Sequence, residues 1–283
     1  MIRNTMKLIN TISVCFIAFS LFSCKKEDKK ANTTEAAQNN AFAEAQYNDV
    51  TTLVDQATVT GSVTYMAGGS RGGEVLGPQG SPCVSVSVDT ASNPRVITID
   101  FGTSNCLCLD GRNRRGKIIA TFSGRYRDAG TVITISFDNY YVNEYKIAGS
   151  KKFTNQGNNQ SGNLVYKVEV NGQVTKPNNG GTYTWISTRF REWKEGASTP
   201  LNILDDVYAI TGTASGTNPD GSSYTINATK ELIRKMNCRW FESGTLELIQ
   251  PNLPNITLDY GNTGCDANAT ITVLGQVYPV LLQ

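Results

Sequence analysis

The sequence predicts an all-β fold, an antiparallel meander that forms a sandwich or a strongly curved sheet, with one short N-terminal helix. From residue 58 onward, apolar side chains recur at every second position in many short segments, which is the period of a strand with one buried face. Turn sequences separate these segments every 8 to 15 residues. No apolar pattern of helical length lies between them, so a parallel sheet with crossover helices is not expected.

The individual segments support the meander. The alternating runs 118–123 and 133–137 flank a turn at 127–130, which predicts a hairpin. The alternating run 164–170 is expected to end in an Asn-Gly turn at 171–172. Further strands are predicted at 182–193, 205–213, 222–230, 244–250, 255–260, 268–274 and 276–282.

Residues 41–57 carry the one convincing helical pattern. Val50 and Leu53 belong to an apolar side with helical spacing, and Asn40 is suited to cap the first turn. We expect this helix to cover an edge of the sheet, and a partner-binding helix is the alternative. Residues 58–283 are then long enough to form one sizeable β core.

Two copies of a short motif lie 159 residues apart. Residues 97–102 and 256–261 share the order Ile-Thr-aliphatic-Asp-aromatic-Gly, and a cysteine follows each copy. Such self-similarity indicates a repeated structural unit. We place the two repeats at about 83–126 and 238–283.

The repeats also suggest a disulfide pattern. Cys83 precedes Cys106 by 23 residues, and Cys238 precedes Cys265 by 27 residues. We therefore predict one disulfide within each repeat, with pairing between the repeats as the alternative. Closing loops of this length contributes roughly 3 kcal/mol each in the chain-entropy model. Cys108 would be the remaining thiol.

The sequence contains no histidine, which removes the usual general base and the commonest metal ligand. The cysteines offer only one closely spaced pair, Cys106 and Cys108, whereas four-ligand zinc sites usually have two such pairs. We therefore predict neither a metal nor a cofactor. Catalysis by a pair of carboxylates stays open.

The N-terminus has the pattern of an export signal. Arg3 and Lys7 precede an uncharged, mostly apolar run, and Lys25 is the next charge after 17 residues. That run is short for a membrane-spanning helix, which needs about 20 apolar residues. An uncleaved transmembrane anchor is the alternative, and ordinary cleavage that leaves a plain cysteine is a third interpretation.

The sequence Leu21-Phe22-Ser23-Cys24 closes this run and resembles the lipobox of bacterial lipoproteins. The resemblance implies that residues 1–23 are a signal peptide and that Cys24 carries lipid. It also implies anchoring in the outer membrane, because the next residue is Lys25 and not the Asp that favours inner-membrane retention. Residues 24–40 are polar and charged, so we expect a disordered tether between lipid and body.

Removal of residues 1–23 would discard two basic residues and no acid, leaving 24 basic and 24 acidic residues. A chain with formally zero net charge has no global field that would steer nucleic acid to it. We therefore predict no nucleic-acid partner. The expected partners are the membrane, through lipid on Cys24, and a glycan, lipid or envelope protein.

Two groups of residues are candidate binding sites. The first is a basic loop of the N-terminal repeat, which has the chemistry to bind phosphate or carboxylate or is simply a solvated turn beside Asp110. The second is a mixed cationic and aromatic strand face, which is the best candidate for a ligand surface. The loop cations are Arg112, Arg114, Arg115 and Lys117, and the strand face comprises Trp185, Arg189, Arg191 and Trp193.

Asp100 and Asp259 are the only acids repeated between the two copies. A glycosidase needs such a pair of carboxylates, but an acid just before a glycine turn also suits bonding to the loop backbone, which we favour. The body as a whole loosely resembles uncharacterised envelope lipoproteins. We predict an outer-membrane lipoprotein with a non-enzymatic binding or structural role, and a carboxylate-dependent hydrolase of polysaccharide is the alternative.

Overall fold

The computed structural model describes residues 24–60, 83–199, 201–262 and 264–282, with the side chains of the first range described from 35 to 58. The predicted signal peptide, residues 1–23, lies outside the described residues. Fourteen strands of the described chain form one antiparallel sheet. Among the described residues, the one α-helix, α1, spans Cys24–Thr60. The strands are β1 Ser85–Asp89, β2 Arg95–Asp100, β3 Cys106–Leu107, β4 Asn113–Phe122, β5 Val132–Val142, β6 Tyr145–Asn158, β7 Leu164–Thr175, β8 Thr182–Glu195, β9 Val207–Thr217, β10 Ser223–Lys235, β11 Ser243–Ile249, β12 Ile256–Asp259, β13 Asn268–Val273 and β14 Gln276–Leu281.

The sheet is a meander, as the alternating pattern predicts. Sequential strands are neighbours from β4 to β14. At the start of the sheet, β2 pairs with β4, and the two-residue β3 also pairs with β4. Helix α1 contacts β2, β8 and β12, which lie far apart in the strand order. The sheet is therefore strongly curved around the helix, which confirms the predicted fold class.

The helix differs from the prediction in position and length. It has 37 residues, and it lies in the core and does not cover an edge of the sheet. Buried residues, among them Tyr47, Glu44 and Gln56, occupy most of its circumference, and a partly exposed stripe runs through Ala45 and Thr52. The apolar side seen in the sequence is therefore only part of the buried surface that the curved sheet covers.

The range 24–40, predicted as a tether, belongs to this helix. Ala36 and Ala37 are buried, and Asn40 accepts a hydrogen bond from the indole Nε1 of Trp185 at 2.8 Å. Sequence pattern missed this because polar residues without apolar periodicity are typical of disorder. Three polar side chains of this range, Glu35, Asn39 and Asn40, have their partners far along the chain, at Lys176, Asn218 and Trp185.

Strand β7 continues through the predicted Asn-Gly turn at 171–172, and the chain turns later, at 177–181. Gly172 is needed because a Cβ atom there would overlap the hydroxyl of Tyr47. That hydroxyl donates to the carbonyl of Ala148 at 2.7 Å and accepts from the amide of Gln173 at 3.0 Å. The glycine therefore makes room for the helix and does not mark a turn.

The two repeats have the predicted structure. Disulfides join Cys83 to Cys106 and Cys238 to Cys265, with Cα–Cα distances of 5.7 and 5.5 Å. The repeats contribute β1, β2 and β4 at one end of the sheet and β11, β12 and β13 toward the other. Pairing between the repeats is thereby excluded. Cys108 is buried and takes part in neither disulfide.

Candidate functional site

The predicted ligand face of β8 lies inside the molecule. Trp185, Arg189, Arg191 and Trp193 share one face, as period two predicts, but none is more than 5% exposed. They face helix α1 and the interior and form no outer surface. Alternation identifies residues that share a face, but it does not tell whether another element covers that face.

Each of these four side chains has a polar or aromatic neighbour in the interior. Arg189 Nη2 lies 2.9 Å from Glu44 Oε1 on the helix. The Arg191 guanidinium lies 3.4 Å above the ring of Tyr208 and 3.9 Å from Asp55 Oδ2. Both tryptophans donate hydrogen bonds from the indole Nε1. Trp185 donates to Asn40 Oδ1, and Trp193 donates to Asp206 Oδ1 at 3.1 Å.

The predicted basic loop is largely strand, because β4 begins at Asn113. Arg112 and Arg114 point into the interior, where they share two acids. Arg114 Nη2 lies 2.9 Å from Asp49 Oδ2 on the helix and 2.7 Å from Asp110 Oδ2. Asp110 is the local counter-charge that the sequence suggests, while Asp49 is a partner that no local pattern indicates.

Electrostatics fixes the charge state of this cluster. Burial alone would raise the pKa of Asp49, but the guanidinium groups of Arg112 and Arg114 hold that pKa well below its usual value. Burial would likewise raise the pKa of Asp110, but the charges of Arg114 and Arg112 outweigh it and lower this pKa. Both carboxylates are therefore ionised, and the charges of the two acids balance those of Arg112 and Arg114.

The other two cations of the predicted loop lie outside the core. Lys117 Nζ pairs with Asp100 Oδ2 at 3.0 Å, and both side chains are partly exposed. Arg115 Nη1 pairs with Glu144 Oε2 at 3.0 Å, and its guanidinium lies 3.8 Å above the ring of Tyr141. The four predicted cations therefore do not form one site, and only Arg115 lines a groove.

That groove, called here the loop-end groove, has a volume of about 810 Å³ and is open to solvent. It lies where β4, β5 and β6 meet the turn between β7 and β8. Asparagine is frequent in its turns because it tolerates a left-handed backbone, as at Asn143, with φ of 46°. Its lining side chains are Arg115, Tyr141, Asn143, Glu144, Lys146, Thr175, Lys176, Pro177, Asn178 and Asn179.

The loop-end groove has a small excess of positive charge. Arg115, Lys146 and Lys176 supply three cations, while Glu144 and the nearby Glu35 supply two anions. Lys176 pairs with Glu35 at 2.7 Å. Within the described part of the chain, Lys146 has no acidic group within ion-pair distance, and its ammonium lies 5.8 Å from the centre of the Tyr141 ring. No local sequence pattern singles out Lys146, because its neighbours in the groove come from separate hairpins.

The repeated acids support the turns that follow them. Asp100 Oδ1 accepts from the amide of Gly102, and Asp259 Oδ1 accepts from the amide of Gly261, both at 2.8 Å. The two glycines have nearly equal positive φ angles of 77° and 76°. These contacts agree with the backbone-bonding role favoured from the sequence.

Comparisons with family models, with curated proteins and with solved structures found no match to this chain. Among the described residues, no helix is long and apolar enough to cross a membrane. No group of three or more acidic or cysteine side chains in the described ranges is arranged to hold a metal ion.

Proposed function

We propose that this protein is an outer-membrane lipoprotein that binds an acidic envelope glycan, without catalysis, in the loop-end groove. The attachment rests on the lipobox-like sequence Leu21-Phe22-Ser23-Cys24 and the basic residues before it. The binding role rests on one observation, the solvent-open groove lined by Arg115, Lys146 and Lys176. Residues 1–23 would be removed, and lipid on Cys24 would hold the mature chain at the membrane.

The chemistry of the groove suits a glycan that carries carboxylate or phosphate groups. Lys146 offers an ammonium without an acidic partner in the described chain, and Arg115 offers a planar guanidinium that is fixed between Tyr141 and Glu144. Asn143, Asn178 and Asn179 line the same groove, and amide side chains both donate and accept hydrogen bonds, as sugar hydroxyls require. The groove is also large enough for several sugar units, because ligand pockets typically measure about 300–1,000 Å³.

Charge reversal in the groove tests the binding role. Lys146→Glu should weaken binding to immobilised polygalacturonate and to purified lipopolysaccharide by at least about tenfold, which corresponds to about 1.4 kcal/mol. Lys230→Glu makes the same change in net charge at an exposed position of β10, away from the groove, and should bind as the wild type does. Equal loss in both variants, or no binding by the wild type, would overturn the proposal.

Metabolic labelling tests the attachment separately. Cells that express the wild type should incorporate labelled palmitate into the chain, and Cys24→Ser should abolish the label and release the protein from the outer-membrane fraction. Cys15→Ser, which changes a cysteine inside the proposed signal peptide, is the matched control and should retain the label. Label that persists in Cys24→Ser would contradict the lipoprotein assignment without bearing on the groove.

A further inference from the structure

A small cavity lies between helix α1 and the inner face of strands β6 to β10. Its volume is about 30 Å³, and roughly 10–15 Å³ suffices for one water molecule. The cavity therefore has room for one or two waters or for one monatomic ion. Its charged lining residues are Glu44, Lys151, Arg189, Arg191 and Arg234.

The cavity walls present hydrogen-bond donors that lack acceptors. Ser187 Oγ, Arg189 Nε and Arg191 Nε are buried and have no hydrogen-bond partner among the described residues. Because these residues alternate along β8, all three side chains project from the same inner face. Arginine has no acceptor atom. The two arginines of β8 can therefore be satisfied only by a hydrogen-bond acceptor in the cavity.

Lys151 adds a further donor on the neighbouring part of the wall. Its ammonium donates to the carbonyl of Tyr47 at 2.8 Å and to Thr51 Oγ1 at 2.6 Å. An ammonium has three donors, so one N–H group is not used in these two bonds. Lys151 is 3% exposed, and water from the bulk solvent does not freely solvate it.

The charges around the cavity are not balanced. Three arginines and Lys151 line it, and the only acid in the lining is Glu44. Because burial lowers the pKa of Lys151 to about 7, the three arginines supply most of the unbalanced charge. Asp55 lies near Arg191, at 3.9 Å. The other nearby acids are engaged elsewhere, since Asp49 pairs with Arg112 and Arg114 and Asp206 accepts from Trp193 and Tyr208. Burial of an uncompensated cation is costly, so a bound negative charge would stabilise this arrangement.

We propose that the cavity binds one small monovalent inorganic anion of the chloride class, held by Ser187, Arg189, Arg191 and Lys151. This inference is independent of the loop-end groove and of the lipid. The anion would accept hydrogen bonds from the wall of β8 and would offset the excess positive charge between the sheet and the helix.

Bromide locates such a site directly because it scatters anomalously and has the same charge as chloride. Crystals of the mature chain grown with sodium bromide should show an anomalous peak within hydrogen-bond distance of Ser187 Oγ and Arg191 Nε. A cavity that contains water only, with no bromide peak at saturating bromide, would overturn the proposal. This measurement uses the wild-type protein, so it does not depend on whether any variant folds.

Solution measurements give a second, independent readout. At constant ionic strength, the melting temperature should rise with the logarithm of chloride or bromide concentration, as expected for a ligand that binds only the folded state, and fluoride should have less effect. Ser187→Ala should weaken halide binding by about tenfold, since hydrogen bonds to charged groups are of that strength. Ser215→Ala, on the outer face of β9, is the matched control. Equal halide dependence in both variants would exclude Ser187 as a ligand.

Discussion

The two disulfide-closed repeats have the same local structure but contact helix α1 through different chemistry. The N-terminal repeat uses Arg112 and Arg114, which pair with Asp49 of the helix. The C-terminal repeat places Phe241 and Tyr260 near Ala41 of the same helix, and the two aromatic rings pack at 5.0 Å. The repeated motif therefore specifies a strand, a turn and a disulfide, while the residues between the motifs decide how each copy meets the core.

The largest effect is expected from the ionic contact of the N-terminal repeat. Asp49→Asn should cost about 3–5 kcal/mol in the free energy of unfolding, because it leaves Arg114, with a fully buried side chain, short of one counter-charge. Urea denaturation followed by circular dichroism measures this cost. Asp55→Asn, on the same helix, is the control and should cost less, because burial already disfavours the ionised form of Asp55, raising its pKa to about 6, and its contact with Arg191 is long at 3.9 Å. Equal costs for both variants would contradict the assigned roles.

The disulfides are expected to contribute similar amounts, since they close loops of 23 and 27 residues. Replacement of both cysteines of either pair with serine should lower the free energy of unfolding by roughly 3 kcal/mol. Double variants are needed because Cys108 lies close to Cys106 in the chain. Denaturation of the two double variants measures the difference, and a more than twofold inequality would show that the repeats are not equivalent units of stability.

A third contact of helix α1, made by Lys151 of β6 outside both repeats, should make the stability depend on pH. Burial, and next the charge of Arg191, lower the pKa of Lys151 from 10.5 to about 7. Between pH 7 and 9 the unfolded chain then binds more protons at this residue than the folded chain, so stability rises with pH, by up to about 1.4 kcal/mol per pH unit. Lys151→Met should remove this part of the slope, whereas Phe241→Leu in the apolar contact should retain it. An unchanged slope in Lys151→Met would refute the lowered pKa.

The smallest effect is expected where the repeats are most alike. Asp100→Ala and Asp259→Ala should each cost about 1 kcal/mol, because each removes one carboxylate bond to a glycine amide. The cost at Asp100 should be slightly larger, since its partly exposed ion pair with Lys117 is also lost. Asp138→Ala, an exposed acid of β5, serves as the control. Thermal unfolding of the three variants measures the ranking.

Local patterns were sufficient for the sheet and insufficient for the site. Alternation predicted the strands, and the repeated Cys spacing predicted both disulfides, because these features depend on residues close together in the chain. The partners of Arg112, Arg189 and Lys151 lie on a helix roughly 60 to 150 positions away, and no periodicity encodes such pairs. Alternation correctly predicts which side chains share a face of β8. It does not show that helix α1 packs on that face, and the sequence predicts a tether and an edge helix in its place.

The placement of α1 has a mechanical consequence. The helix begins at Cys24, and Ala36 is already buried in the core. At about 1.5 Å per residue, only about 18 Å of helix separates the proposed lipid from that point. A pull on the proposed lipid would therefore not first extend a slack linker. The load would pass along the helix axis into the core, and the force needed to extract the helix from the curved sheet would then set the mechanical strength of the proposed attachment.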